Sequence, residues 1–176
     1  MTRTVRFADA PRSRWANGLG ETVELWRTPE AGPFDARLSI ATITSDAPFS
    51  SLPGVDRVLL NLSPHALTLD VDGTPTVLDQ FDAVAFPGEA EVHAVGVTTP
   101  GQDLNLMARR GSGTPALTVA PVDGDVEVQG IAVVLDGTVT GPDGSLAPFD
   151  AVVGPVSLTG RGRLALALVP AGTPIE

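Results

Sequence analysis

Turn signals that recur along its length constrain this chain more than any other feature. Asp72-Gly73, Pro87-Gly88, Asp123-Gly124, Asp136-Gly137 and Asp143-Gly144 punctuate it, and each such pair favours a tight turn. Between them lie short runs rich in Val, Leu, Ile and Thr, with almost no 3.6-residue periodicity. The runs predict strands over Thr22–Thr28, Arg37–Thr44, Arg57–Leu62, Leu67–Val71, Asp82–Phe86, Glu91–Val95, Asp103–Arg109, Ala116–Ala120, Val126–Leu135 and Arg163–Val169. One helical turn near Ser50–Val55 is the only candidate for helix, and Pro53 and Gly54 oppose it. Many short strands without helices mean a β-sandwich or barrel, not an α/β fold.

The chain has 176 residues, 43% of them hydrophobic, which suffices for one domain or a compact two-lobed unit. Its net charge is −10, and all 11 basic residues are Arg. An acidic chain without a basic run repels a phosphate backbone, so a nucleic-acid partner is not expected. There is no Cys, which excludes disulfides, thiolate metal sites and a Cys nucleophile. Met1–Phe7 has no apolar h-region and no run is long enough to span a bilayer, so the expected location is the cytoplasm, with no membrane partner.

The two ends of the chain differ. Up to about Gly111, polar residues are embedded in strands; from Thr114 onward Val, Leu, Ala and Gly dominate. The expected division is an N-terminal lobe over 1–111 that carries any pocket and a C-terminal, mainly structural lobe over 112–176. Arg110-Gly111-Ser112-Gly113-Thr114-Pro115 is the expected connection.

Alternation splits each strand into two rows. Asp103, Asn105, Met107 and Arg109 oppose Leu104, Leu106 and Ala108. Arg37, Ser39, Ala41 and Ile43 oppose Leu38, Ile40 and Thr42. Thr22, Glu24 and Trp26 oppose Val23 and Leu25, and Arg57, Leu59 and Asn61 oppose Val58, Leu60 and Leu62. For one strand a polar row usually faces water. Four mixed rows, with polar groups beside Met, Trp or Leu, look instead like the lining of a barrel that holds a small ligand. An Arg inside such a barrel needs an anion. The ligand could supply it; Glu24 or Asp103 could equally do so as internal partners of Arg37 and Arg57.

Four motifs then stand in order: Trp15-Ala16-Asn17-Gly18-Leu19-Gly20-Glu21-Thr22, Arg37-Leu38-Ser39-Ile40-Ala41, Pro48-Phe49-Ser50-Ser51-Leu52-Pro53-Gly54-Val55-Asp56-Arg57 and Asp103-Leu104-Asn105-Leu106-Met107-Ala108-Arg109-Arg110-Gly111. The series resembles the HutD/Ves family over roughly the first two-thirds of the chain. The resemblance implies an all-β, cupin-type double-stranded β-helix or jelly-roll barrel, bicupin-like with two lobes, and a pocket in the N-terminal lobe. It also implies a link to histidine utilisation without an established reaction. Leu19, Ala36 and Ala47 depart from the family's pattern of Gly, Trp and Gly at those places. On this resemblance the ligand-binding set is Asn17, Thr22, Glu24, Arg37, Ser39, Arg57, Asn105 and Met107, with Arg57 as the carboxylate anchor.

Cupins often hold a metal through His and Glu. Here His65 and His93 are the only His residues, and Glu91 with His93 is a faint echo of such a motif. No metal and no other cofactor is expected. Three function classes remain: a binding protein for a small anionic metabolite (urocanate, formiminoglutamate or formylglutamate), a cofactor-free isomerase or hydrolase using Glu24, Asp103 or His93 as acid–base group, and a filled structural barrel. Edge pairing of cupin sheets makes a homodimer plausible in any of them.

Overall fold

Alternating side chains and closely spaced turns leave each strand with one apolar row to bury, and three sheets solve this in the computed structural model, which describes residues 2–111 and 113–175. Met1 and Ser112, the latter within the expected connection, lie outside the described residues, as does Glu176. Sixteen strands and no helix occur among the described residues.

A central sheet is ordered β2 (Arg12–Arg14), β3 (Gly20–Thr28), β4 (Ala36–Ile43), β11 (Gly101–Arg109), β6 (Val55–Asn61) and β9 (Ala83–Pro87). An inner sheet of β5 (Ala47–Pro48), β10 (Val92–Val95), β7 (Leu67–Val71) and β8 (Thr74–Leu78) covers one of its faces. An outer sheet covers the other: β1 (Arg3–Val5), β15 (Ala151–Val153), β13 (Ile131–Gly141), β16 (Val156–Leu168) and β12 (Ala116–Val128), with β14 (Gly144–Leu146) paired to β13. Every pairing is antiparallel. β1 pairs with β15, so the start of the chain is stitched into the sheet otherwise built from its last third.

The apolar rows find two partners. Leu38, Ile40, Leu104, Leu106, Val58 and Leu60 pack toward Ile131, Val133, Ala165 and Ala167 of the outer sheet. On the opposite face Ile43 and Leu59 pack with Leu69, Leu78, Phe86 and Val92. The outer sheet closes a further core of its own around Val134, Val139, Leu146, Leu158 and Leu164.

Several expectations need correction. Ser50–Val55 forms no helical turn; Pro53-Gly54 turns directly into β6, with Val55 N donating to Leu52 O at 3.2 Å. Asp72-Gly73 is the expected hairpin turn between β7 and β8, but Asp123-Gly124 and Asp136-Gly137 lie inside long strands. Gly137 has φ +91°, and a Cβ there would overlap the Arg161 carbonyl of β16. Glycine serves at that position for close approach of two strands, a use that a turn reading misses. Trp26 does not share a face with Glu24. A bulge shifts the β3–β4 register between them, and Leu25 and Trp26 both enter the core against the outer sheet.

Candidate functional site

The pairing register assembles the site. Across the central sheet, Asp103 stands between Ala41 and Asn61, Asn105 between Ser39 and Leu59, and Met107 between Arg37 and Arg57. Thr22 faces Ala41 and Glu24 faces Ser39 one strand further on. Since these positions alternate with the core row, all project to the same side, toward the inner sheet.

Seven of the eight residues expected to bind ligand line one cavity of about 430 Å³: Asn17, Thr22, Arg37, Ser39, Arg57, Asn105 and Met107. That volume is within the range of small-molecule sites, about 300–1,000 Å³. Glu24 is the exception. It stands beside the cavity with Oε2 2.9 Å from Arg37 Nε, an ion pair whose angle is too poor for a hydrogen bond. Both side chains are about a quarter exposed. Arg37 therefore has its countercharge within the protein.

Arg57 is in a different position. It is buried at 6% exposure, and no carboxylate lies within ion-pair distance of it among the described residues. Nη1 donates to Ser50 O and Nη2 to Asn105 Oδ1, both at a long 3.3 Å, and Nε has no partner. The guanidinium carbon is 5.3 Å from the ring centre of Phe49 and 5.1 Å from that of Phe86, contacts of about 1 kcal/mol each. Burial lowers its pKa to about 10; Asp103 opposes that shift and Arg37 adds to it. At neutral pH the cation persists, poorly solvated and incompletely bonded.

Asp103 is the buried anion nearest in this network, at one remove. Asn105 Nδ2 donates to Asp103 Oδ2 while Asn105 Oδ1 accepts from Arg57. Asp103 is fully buried and does not line the large cavity. Burial raises its pKa to about 7, against the hydrogen bond from Asn105 and the charge of Arg57.

The loop after β2 forms the cavity's rim. Trp15 lines it and donates from Nε1 to Thr22 Oγ1 at 2.9 Å. Asn17 Oδ1 accepts from Leu19 N at 3.0 Å, and Gly18 takes φ +73°. Leu19 has no positive φ, so the turn tolerates it where the family pattern has Gly. Ala36 is buried in the core against the outer sheet, on the face away from the cavity. A larger residue there would be a core anchor, not a ligand wall.

Sequence reasoning missed Trp15, Phe49, Ser50 and Leu52 as cavity lining and Phe86 as the second ring against Arg57. Trp15 and Phe49 lie inside two of the four motifs, and an aromatic beside a turn is the signal that marks them. Arg110, also in a motif, has another task. It pairs with Asp56 at 2.9 Å and Glu89 at 2.7 Å, and Glu89 accepts from Gly54 N, which pins the Pro53-Gly54 turn below Arg57.

Among the described residues no group of three or more His, Cys, Asp and Glu is placed to hold a metal ion. His93 pairs in register with Pro48 and Asp70 on the inner sheet, and His65 lines a separate, smaller cavity. The two His and Glu91 do not make a cupin metal site.

Comparison with known proteins fits this geometry into a family. An uncharacterised 21.2 kDa protein of the hutC 3′ region of Pseudomonas putida is 39% identical over 106 residues, 58% of this chain and 56% of that protein. Protein Ves of Cronobacter sakazakii is 38% identical over 104 residues, 57% of this chain and 56% of its own. The match thus spans little more than half the length of these curated relatives. HutD from Pseudomonas fluorescens SBW25, solved in a formate condition, aligns with a TM-score of 0.77 at 28% identity over 95% of this chain and 98% of that one. The bacterial pirin YhhW of Escherichia coli, in complex with nickel(II), aligns at a TM-score of 0.67 over 97% of this chain and 99% of its own, at 10% identity. That likeness concerns the fold alone: an all-β architecture of pirin kind. The HutD family model matches residues 7–145, and with residues of all four motifs lining one cavity, the chain belongs to the HutD/Ves family.

Proposed function

We propose that this chain binds a small anionic metabolite in the cavity beside Arg57, in a sensing or sequestering role. The observation that carries the reading is Arg57 itself. A buried guanidinium with a free Nε, two long hydrogen bonds and no carboxylate in contact among the described residues is an incomplete site. A ligand carboxylate would complete it through charge-assisted hydrogen bonds. Ser39, Thr22, Asn17 and Asn105 would orient polar ligand atoms, and Met107 with Trp15 would form walls. Family membership and the relative from a hutC region direct the search to histidine-utilisation intermediates: urocanate, formiminoglutamate and formylglutamate.

The reading includes a bicupin-like division, with the cavity in residues 1–111 and a buttress in 112–176. It places the protein in the cytoplasm, as a homodimer through sheet edges, without nucleic acid or membrane as partner. Isothermal titration with the three compounds tests it. Saturable binding is expected with at least one, weakened at least tenfold in Arg57→Ala. No heat with any of them, or unchanged affinity in the variant, would overturn it.

A cofactor-free isomerase or hydrolase is the second reading. It is favoured by one observation, a buried carboxyl at Asp103 that is hydrogen-bonded through Asn105 to the cavity-lining Arg57. Asn105 stands between that group and Arg57. Turnover of any of the three compounds, lost in Asp103→Asn or Glu24→Gln, would favour it over simple binding.

A further inference from the structure

Partners that can only donate fix the direction of three hydrogen bonds in the cavity beside Arg57. Trp15 Nε1 lies 2.9 Å from Thr22 Oγ1. An indole N–H never accepts, so the Thr22 oxygen receives this bond and its own proton is directed elsewhere. Among the described residues no acceptor takes that proton. Gly20 makes the arrangement possible: a Cβ there would come within 2.9 Å of the Trp15 ring, so only glycine lets the indole lie across β3. Asn17 Oδ1 accepts from Leu19 N at 3.0 Å, which orients the amide and leaves its two Nδ2 protons to offer. Asn105 Oδ1 likewise accepts from Arg57 Nη2. A second lone pair remains on each oxygen, but a ligand N–H that used the one on Thr22 would leave the hydroxyl proton without an acceptor.

Charge acts in the same direction. Arg37 and Arg57 line the cavity and no Asp or Glu does. Glu24, two residues beyond Thr22 on β3, is held by Arg37. An ammonium group entering here loses water, meets two guanidinium charges and finds no countercharge on the walls.

The two ends are a short molecule apart. Asn105, which accepts from Arg57, is two strands and two residues from Thr22, about 12 Å at ordinary strand spacing and rise. With a carboxylate on Arg57 and a hydrogen bond at Thr22, a chain of about three or four carbons spans the remainder.

We propose that Thr22, oriented by Trp15, determines the specificity of this cavity: it selects a short carboxylic acid whose far end carries a neutral carbonyl-type oxygen and rejects one that ends in an ammonium group. This selection rests on Arg57 serving as the carboxylate anchor. Free amino acids fall outside the ligand class; deaminated and N-acylated acids fall inside it.

Three probes of equal length test it by isothermal titration of the full chain: 4-oxopentanoate, 4-aminopentanoate and pentanoate. Pentanoate should bind saturably and at least tenfold more weakly in Arg57→Ala. 4-Oxopentanoate should bind at least fivefold more tightly than pentanoate, and 4-aminopentanoate at least tenfold more weakly than 4-oxopentanoate. Relative to pentanoate in the same variant, the gain from the ketone should vanish in Thr22→Val and persist in Thr22→Ser. Trp15→Phe frees the Thr22 oxygen, so the ratio between the oxo and amino probes should narrow. If Thr22→Val does not fold, the order of the three probes on the unaltered chain carries the test. Absence of saturable binding by both pentanoate and 4-oxopentanoate would strike the carboxylate site and this selection together. Equal affinities for the three probes, or a ketone gain that survives Thr22→Val, would overturn the selection alone.

Discussion

Two buried aspartates, one in each half of the molecule, have opposite surroundings. Asp150, at the seam between the chain's start and the outer sheet, has every oxygen engaged. Oδ1 accepts from Phe7 N at 2.9 Å, and Oδ2 accepts from Arg6 Nη1 at 2.8 Å and Ala147 N at 3.0 Å. Asp103, inside the barrel, has one side-chain donor and one vacant oxygen. The contrast extends beyond the pair. Six of the seven buried polar residues, Ser39, Arg57, Asn61, Ser63, Asp103 and Asn105, belong to the barrel half, and Asp150 is the seventh. Where polarity is buried and fully satisfied it fixes an architecture; where it is buried and left incomplete it costs stability.

The largest effect should come from the satisfied member. Asp150→Ala leaves the N–H groups of Phe7 and Ala147 unmet and removes the carboxylate partner of Arg6, which should cost about 3–4 kcal/mol. A urea midpoint measures it. Asp103→Asn should cost far less, since it removes a charge that burial already disfavours. If the two variants were equally destabilised, the distinction between structural and incomplete polarity would fail.

Arg57 sharpens the same contrast from the cationic side. Arg57→Met keeps the hydrophobic stem between Phe49 and Phe86 while removing the buried charge. Ligand affinity should fall tens-fold, about 2 kcal/mol, while the urea midpoint holds or rises. A clear loss of stability without loss of affinity would make Arg57 an architectural residue like Arg6.

How much of this was legible in the sequence depends on one property, strict alternation. Rows such as Asp103-Asn105-Met107 and Arg37-Ser39 can be read because period 2 is local, and both sit on one face in the structure. Trp26 could not be read, because a bulge is set by the register with β4 and leaves no local trace. The Gly137 position mimics a turn, since glycine marks a close strand approach as readily as a reversal, and Gly124 stands mid-strand with a positive φ. The choice between Glu24 and Asp103 as internal partners was open for a similar reason. Only the register puts Glu24 against Arg37 and interposes Asn105 between Asp103 and Arg57.

A pH series probes the incomplete half next. The unfolded chain releases the Asp103 proton near 3.8 and the folded chain near 7. Between those values the native state binds more protons, so this group makes stability fall as pH rises from about 4 to 7 and stay level above. Asp103→Asn should flatten that segment of the urea-midpoint profile. Carboxylate affinity at the large cavity should also be several-fold higher at pH 5.5 than at pH 8, because a neutral Asp103 no longer offsets Arg57. A profile identical in wild type and variant would remove Asp103 from the account.

The smallest effect concerns Arg37, and it bears on what the ligand is. Glu24 already neutralises Arg37, and both are partly exposed, so Arg37→Ala should weaken binding only a few-fold if the ligand has one carboxylate. A double-mutant cycle with Glu24→Ala should give a coupling of about 0.5–1 kcal/mol in stability. A dicarboxylate could reach both arginines, which stand two strands apart with Met107 between them. It would then compete with Glu24 for Arg37, so Glu24→Ala should strengthen its binding and Arg37→Ala should weaken it nearly as much as Arg57→Ala does. Titrating urocanate and formylglutamate against the same three variants separates the cases: an effect of Arg37→Ala confined to formylglutamate means two carboxylates in the cavity. Equal small effects on both compounds mean that Arg57 alone carries the charge recognition.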